Sequence, residues 1–273
     1  PLYNGKARYF NDILLGNDGL RGSGRFEYLS SVVHSDDIIF YPDSTDLLSN
    51  ALTINEINKG IEFPQVSNTK AFCHFEPYLD KLNIYKTHDM FSLYSGKSSL
   101  DGDILLQPIG LTGNGIMKLD LAEVSSNFFS FNSKWFKADT ANLNVLDNTN
   151  SLAFSAQNLR ANIDISDRKG IFYSNGTGSY VNFPASEYIC YIDKLIWEMD
   201  KEQLTFSEEI NSKNSGSRFV SLNSTQDSLS FVAKNADYSL KDYIINAYGV
   251  DSINVADAVI YTDSGFLKVE RNA

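Results

Sequence analysis

The chain is poor in the residue types that usually carry chemistry. Of 273 residues only two are cysteine, three histidine, two tryptophan and six proline. So little proline excludes collagen-like and proline-rich tracts. Basic residues are also in deficit, 23 Lys and Arg against 34 Asp and Glu, for a formal net charge of −11. The positive field that a phosphate backbone draws on is missing, and nucleic acid is not expected as a partner. No run approaches the roughly 18 consecutive apolar residues of a membrane-spanning helix. The opening PLYNGKARYF is neither a signal peptide nor a start methionine, and the closing GFLKVERNA reads as a strand with nothing after it. These ends predict a fragment of a longer chain with flanking repeats.

What is present is a large apolar and aromatic share, 42% and 13% of residues. That is enough to bury a core and too much for a disordered segment. Apolar residues recur at every second position, as in Phe129/Phe131, Leu143/Val145, Leu152/Phe154, Ile163/Ile165, Leu195/Trp197/Met199, Leu204/Phe206, Leu229/Phe231 and Ile253/Val255. Period two marks a half-buried strand. The runs are cut by turn-forming clusters such as Asn175-Gly-Thr-Gly, Asp101-Gly-Asp and Asp167-Arg-Lys-Gly170. Only Leu47 to Ile57 could present a helical face, and Thr53, Ile54 and the asparagines there favour a strand instead.

The chain also repeats itself. GLRGSG at Gly19 to Gly24 recurs as GLTGNG at Gly110 to Gly115, and the same offset carries Ser35, Ile38 and Phe40 onto Ser126, Phe129 and Phe131. A second series keeps its order with drifting spacing: Phe63-Pro64, Cys73 and Asp80-Lys81 against Phe183-Pro184, Cys190 and Asp200-Lys201. Together they predict a first β unit over 1–109, a second over 110–209 and the start of a third over 210–273, in one continuous elongated domain. The fold class expected is all-β: a stacked-strand solenoid or an open β-jellyroll, with two β-sandwich domains as the alternative. In a solenoid Cys73 and Cys190 lie too far apart to bond, so both are expected as free, buried thiols; a disulfide belongs to the two-domain alternative.

Motifs with a mechanism are missing. GLRGSG and GLTGNG lack GxGxxG spacing and open no helix, so they read as turn glycines. Ser95-Gly-Lys-Ser98 resembles the end of a phosphate loop, but Phe91 occupies the place of its first glycine. There is no GxSxG, HExxH or CxxC, and His34, His74 and His88 have no metal-ligand spacing. Asp36 with Asp37, Asp43 with Asp46, and Asp101 with Asp103 are the acid pairs that calcium binding or acid-base work on a glycan would need; all are expected in turns, where aspartate serves its own backbone. Tyr173, Tyr188, Tyr191 and Trp197 could line a carbohydrate surface, although core packing explains them as well. No catalytic, cofactor-binding or metal residue is assigned, no cofactor is expected, and the chain reads as non-enzymatic.

The stretch Tyr188 to Phe206, a strand, an acidic-lysine turn and a returning strand, is similar to the repeats of the OstA-like lipopolysaccharide-transport proteins, which build an open β-jellyroll in the periplasm. GLTGNG, Phe136-Lys-Ala-Asp-Thr-Ala141, Val181-Asn-Phe-Pro184, Gln226-Asp-Ser-Leu-Ser-Phe231 and Val255-Ala-Asp-Ala258 resemble the repeat region of large exported envelope proteins of Bacteroidota-type bacteria. The resemblance implies a periplasmic or cell-envelope setting in a Gram-negative bacterium and a structural scaffold or spacer. Two further readings stand beside it: a lipid or lipopolysaccharide-binding bridge with an apolar groove, and a carbohydrate-active β-helix. Lipid, other envelope proteins and end-to-end copies of the chain are the partners these readings call for.

Overall fold

A computed structural model places residues 1–207 and 216–271, and the protein is all-β. The expected boundary at 209/210 lies outside the described residues. Chain contacts divide the molecule into two compact units, Pro1–Asp120 with Ser125–Phe136, and Leu121–Val124 with Lys137–Ala273. The strands are β1 Arg8–Phe10, β2 Ile13–Gly16, β3 Gly19–Tyr28, β4 Ser31–Phe40, β5 Thr45–Ile54, β6 Val66–Asn68, β7 Ala71–Glu76, β8 Lys81–Lys86, β9 Phe91–Leu93, β10 Ser98–Gln107, β11 Gly110–Leu119, β12 Ala122–Phe131 and β13 Trp135–Leu146. They continue as β14 Leu152–Asp164, β15 Lys169–Ser174, β16 Tyr180–Phe183, β17 Tyr188–Tyr191, β18 Lys194–Glu198, β19 Gln203–Ser207, β20 Ser217–Ser221, β21 Ser230–Ala233, β22 Asn235–Ser239, β23 Ile244–Tyr248, β24 Ser252–Val255, β25 Ala258–Tyr261 and β26 Phe266–Val269. The segment open to a helical reading is β5.

In the first unit long bent strands serve two layers at once. The burial alternation of β4 runs through Ser31, Val33 and Ser35, then changes phase and resumes at Ile38 and Phe40. β5 does the same through Thr45, Leu47 and Ser49, then Leu52 and Ile54. The change falls on a bulge, where the register slips around Ser35, and an extra residue bends a strand and flips which side chains point inward. The Ser35 hydroxyl lies 2.8 Å from the carbonyls of both Asp37 and Leu48 and accepts from the Asp37 N–H at 3.2 Å. Its counterpart Ser126 makes the equivalent pair of bonds with Phe128. The repeated serine is thus a bend fastener. Beyond the bend, one half of β5 pairs with β6 and the other with β7; β6 continues to β9, β7 to β8, and both paths rejoin on β10.

The two layers face each other across a filled interior. Phe26, on the β3 half that leads toward β6, meets Phe75 of β7 with ring centroids 5.4 Å apart, and Tyr28 meets the same ring at 4.7 Å. The Tyr28 hydroxyl then donates to the Asp80 carbonyl at 2.7 Å.

The second unit separates the layers fully. From β14 the chain lays hairpins alternately: one layer runs β15, β18, β19, β22, β23, β26 and the other β16, β17, β20, β21, β24, β25. Phe183 of one layer contacts Phe206 and Tyr238 of the other at 5.7 and 4.6 Å, and Phe206 contacts Phe219 at 6.1 Å. Every pairing described is antiparallel, so neighbours are joined side by side as in a jellyroll or sandwich rather than in the parallel rungs of a solenoid.

Both cysteines are free and buried. Cys73 lies opposite Leu47 and Ile84, and Cys190 opposite Val181 and Phe219. Burial pushes the Cys73 thiol up to about 12 and raises that of Cys190 as well, so both behave as small apolar groups.

One charged tie lies in the second unit. Asp147 accepts from the Thr149 hydroxyl at 2.6 Å, from the Tyr243 hydroxyl at 2.6 Å and from the backbone N–H groups of Thr149 and Ser151. These bonds, those of Thr149 and Tyr243 foremost, hold its carboxyl well below the usual carboxylate range. The folded state therefore holds the carboxylate more tightly than the unfolded state does. That stabilisation is present above the unfolded value of ~3.9 and is lost as pH falls through the folded one. Asp147→Asn is expected to lower the melting temperature at neutral pH and to flatten its fall below about pH 4. Parallel acid limbs for variant and parent would exclude the tie.

Candidate functional site

Within each sequence-predicted pair the two acids have different partners. Asp36 and Asp37 are exposed at the bulge of β4, and Asp37 binds Arg21 at 2.7 Å. Asp43 sits in the turn before β5, while Asp46 on β5 reaches His74 Nδ1 at 2.5 Å. Asp101 binds the Lys86 ammonium, and Asp103 accepts the Lys86 backbone N–H at 3.1 Å. Two of the three pairs thus lie within strands rather than in turns, a correction: Asp36 and Asp37 mark the bulge of β4, and Asp101 and Asp103 flank Gly102 within β10. Local composition of Asp and Gly is the same for a bulge as for a hairpin loop. No group of three or more His, Cys, Asp or Glu stands close enough to hold a metal ion among the described residues.

The glycine motifs prove to be structural in a particular way. Gly19 and Gly110 close the hairpins before β3 and β11, as expected of turn glycines. The last glycines, Gly24 and Gly115, lie mid-strand at φ 142° and 119°, and a Cβ there would meet Phe10 O at 2.6 Å and Asp101 O at 2.2 Å. They are close-approach positions. Ser95-Gly-Lys-Ser98 begins in a short 3-10 turn, Tyr94–Gly96, with Ser95 and Gly96 at positive φ.

The aromatic stretch is divided between faces. Tyr188 and Trp197 are buried, whereas Tyr191 and Tyr173 point outward. Tyr173 lies beneath Arg160 and Lys194, at 5.1 and 5.8 Å from its ring centroid. Period two sends odd and even positions to opposite sides, so four aromatics spread over several strands cannot share a surface unless their phases agree.

A grouping that the sequence reading missed lies on the outer face of β5, β7, β8 and β10. The register aligns Leu48, Phe72 and Tyr85 in one cross-strand row and Asp46, His74, Asn83 and Leu105 in the next, with Asp103 accepting the N–H of Lys86 beside Tyr85. Phe72 and Tyr85 are 37% and 42% exposed, with centroids 6.0 Å apart and planes 24° from parallel. Glu76 receives Lys81 at 2.8 Å and the Asn83 amide at 2.9 Å, and the Lys81 ammonium is the first cause of its lowered pKa. The signal available in the sequence was a polar phase interrupted by Phe72 and Tyr85, but their adjacency depends on register.

In the second unit, Asn182, Pro184, Glu187, Leu222, Asn223 and Ser224 line an open depression of about 490 Å³. None of the core phenylalanines lines it. No family model, no curated protein and no solved structure matches the chain.

Proposed function

We propose that the chain is a non-enzymatic β scaffold or spacer of the bacterial cell envelope. The observation that carries this is the filled interior of each unit. A groove that conducts acyl chains needs an apolar row facing a vacancy; here Phe26, Phe75, Phe183, Phe206 and Phe219 are fully buried against rings of the opposite layer. Interiors packed in this way resist compression and transmit force. One acid of each pair further supports the reading, since Asp37, Asp46 and Asp101 are engaged by Arg21, His74 and Lys86 in turn. The envelope setting rests on the resemblance to exported repeat proteins.

Native mass spectrometry after mild extraction is the test, run beside fractionation of the producing cell. The expected result is a bare polypeptide mass in the envelope or periplasmic fraction. Stoichiometric lipid on the protein would overturn the scaffold in favour of the bridge, and recovery in the cytosol would overturn the setting.

A further inference from the structure

We infer that the outer face of β5, β7, β8 and β10 binds an amino-sugar glycan, with Phe72 and Tyr85 as the stacking surface. On the water side of an antiparallel sheet the alternating positions are normally polar. Here two aromatic rings stand directly opposite each other at more than a third exposure, side by side and within 24° of parallel. A cross-strand aromatic pair strengthens a sheet, which accounts for the pairing itself. It does not account for the surroundings. Asp103 accepts the N–H of Lys86, the residue after Tyr85, Asp46 and His74 pair in the neighbouring row, and Glu76 and Asp101 bind the Lys81 and Lys86 ammonium groups.

Ring faces are electron-rich and attract the C–H face of a sugar; they attract an ammonium group more strongly. The charge around the rings has the same preference. Asp46, Glu76, Asp101 and Asp103 outnumber the basic groups that face them, the Lys81 and Lys86 ammonium groups and the His74 imidazole between Asp46 and Glu76, so the rim is acidic within a chain of net charge −11. A uronate or phosphate polymer would be repelled by this rim, whereas glucosamine units meet complementary charge and complementary π surface together. A protein partner needs about 800 Å² on each side and a largely uncharged centre, and here charged rows begin beside the two rings.

Isothermal titration of the full chain with a glucosamine hexamer tests this, with polygalacturonate as the anionic comparison. Binding of the hexamer is expected, weakened roughly fivefold or more by Phe72→Ala and by Tyr85→Ala, with no measurable binding of polygalacturonate. Each substitution also removes half of a cross-strand pair, so a small fall in melting temperature is expected, and binding is compared at a temperature where parent and variants are all folded. Asp103→Asn should weaken the hexamer while leaving its N-acetylated form unaffected. No binding, binding indifferent to both ring substitutions, or a preference for polygalacturonate would each overturn the assignment. None of these results depends on the lipid measurement that tests the scaffold reading.

Discussion

Phe183→Ala is expected to destabilise the protein by about 3–5 kcal/mol, the range for deleting a buried aromatic ring from a packed core. Phe183 is fully buried and touches Phe206 and Tyr238 of the facing layer. Its loss removes apolar contact on both and leaves a void that strands pinned by ladder hydrogen bonds cannot close. Urea unfolding followed by far-ultraviolet circular dichroism reads the effect as a lower midpoint with an unchanged slope. A loss below ~1 kcal/mol would mean that the ring has little to pack against. It would return support to an open interior and to the lipid-bridge reading.

Gly102→Ala is expected to be at least as damaging, for a different reason. Gly102 faces Gly115 across β10 and β11, and a Cβ on it would stand 1.8 Å from the carbonyl oxygen of Asn114. That atom is backbone, so no rotamer change relieves the clash; the two strands must separate there. A cost of ~3 kcal/mol or more is expected, at or beyond the upper end of ordinary overpacking. Fast amide exchange in β10 and β11 should accompany it. Gly16→Ala is the matching control: nothing lies within 4 Å of its Cβ position, and its effect should stay within ~1 kcal/mol. Equal behaviour of the two variants would show that the close approach of β10 and β11 does not depend on glycine.

Much of the architecture could be read from residues alone. Alternation at Phe129/Phe131, Leu143/Val145, Ile163/Ile165 and Leu204/Phe206 placed each of these residues in the core. The offset linking Ser35 to Ser126 found the bend fasteners without revealing what they fasten. Other readings failed for identifiable reasons. Leu152 is 39% exposed although it alternates with buried Phe154, because Ala153 is buried between them and the phase breaks at the start of β14. Asp101-Gly-Asp looked like a turn and lies inside β10, between the stretches that pair with β9 and with β8. Tyr188 and Tyr191 looked like one surface and face opposite ways.

Strand identity, the approximate span of each strand and the inward phase were local matters, governed by side-chain alternation and by residues that tolerate a turn, and a single chain carries that information openly. Partnership was not. Whether β5 meets β6 or β7, which hairpin goes to which layer, and that Phe72 comes to lie beside Tyr85 in one row with Leu48 all depend on pairings that alternation does not encode. Period two is the same for every partner, so those pairings are selected by the energy of the whole packed core.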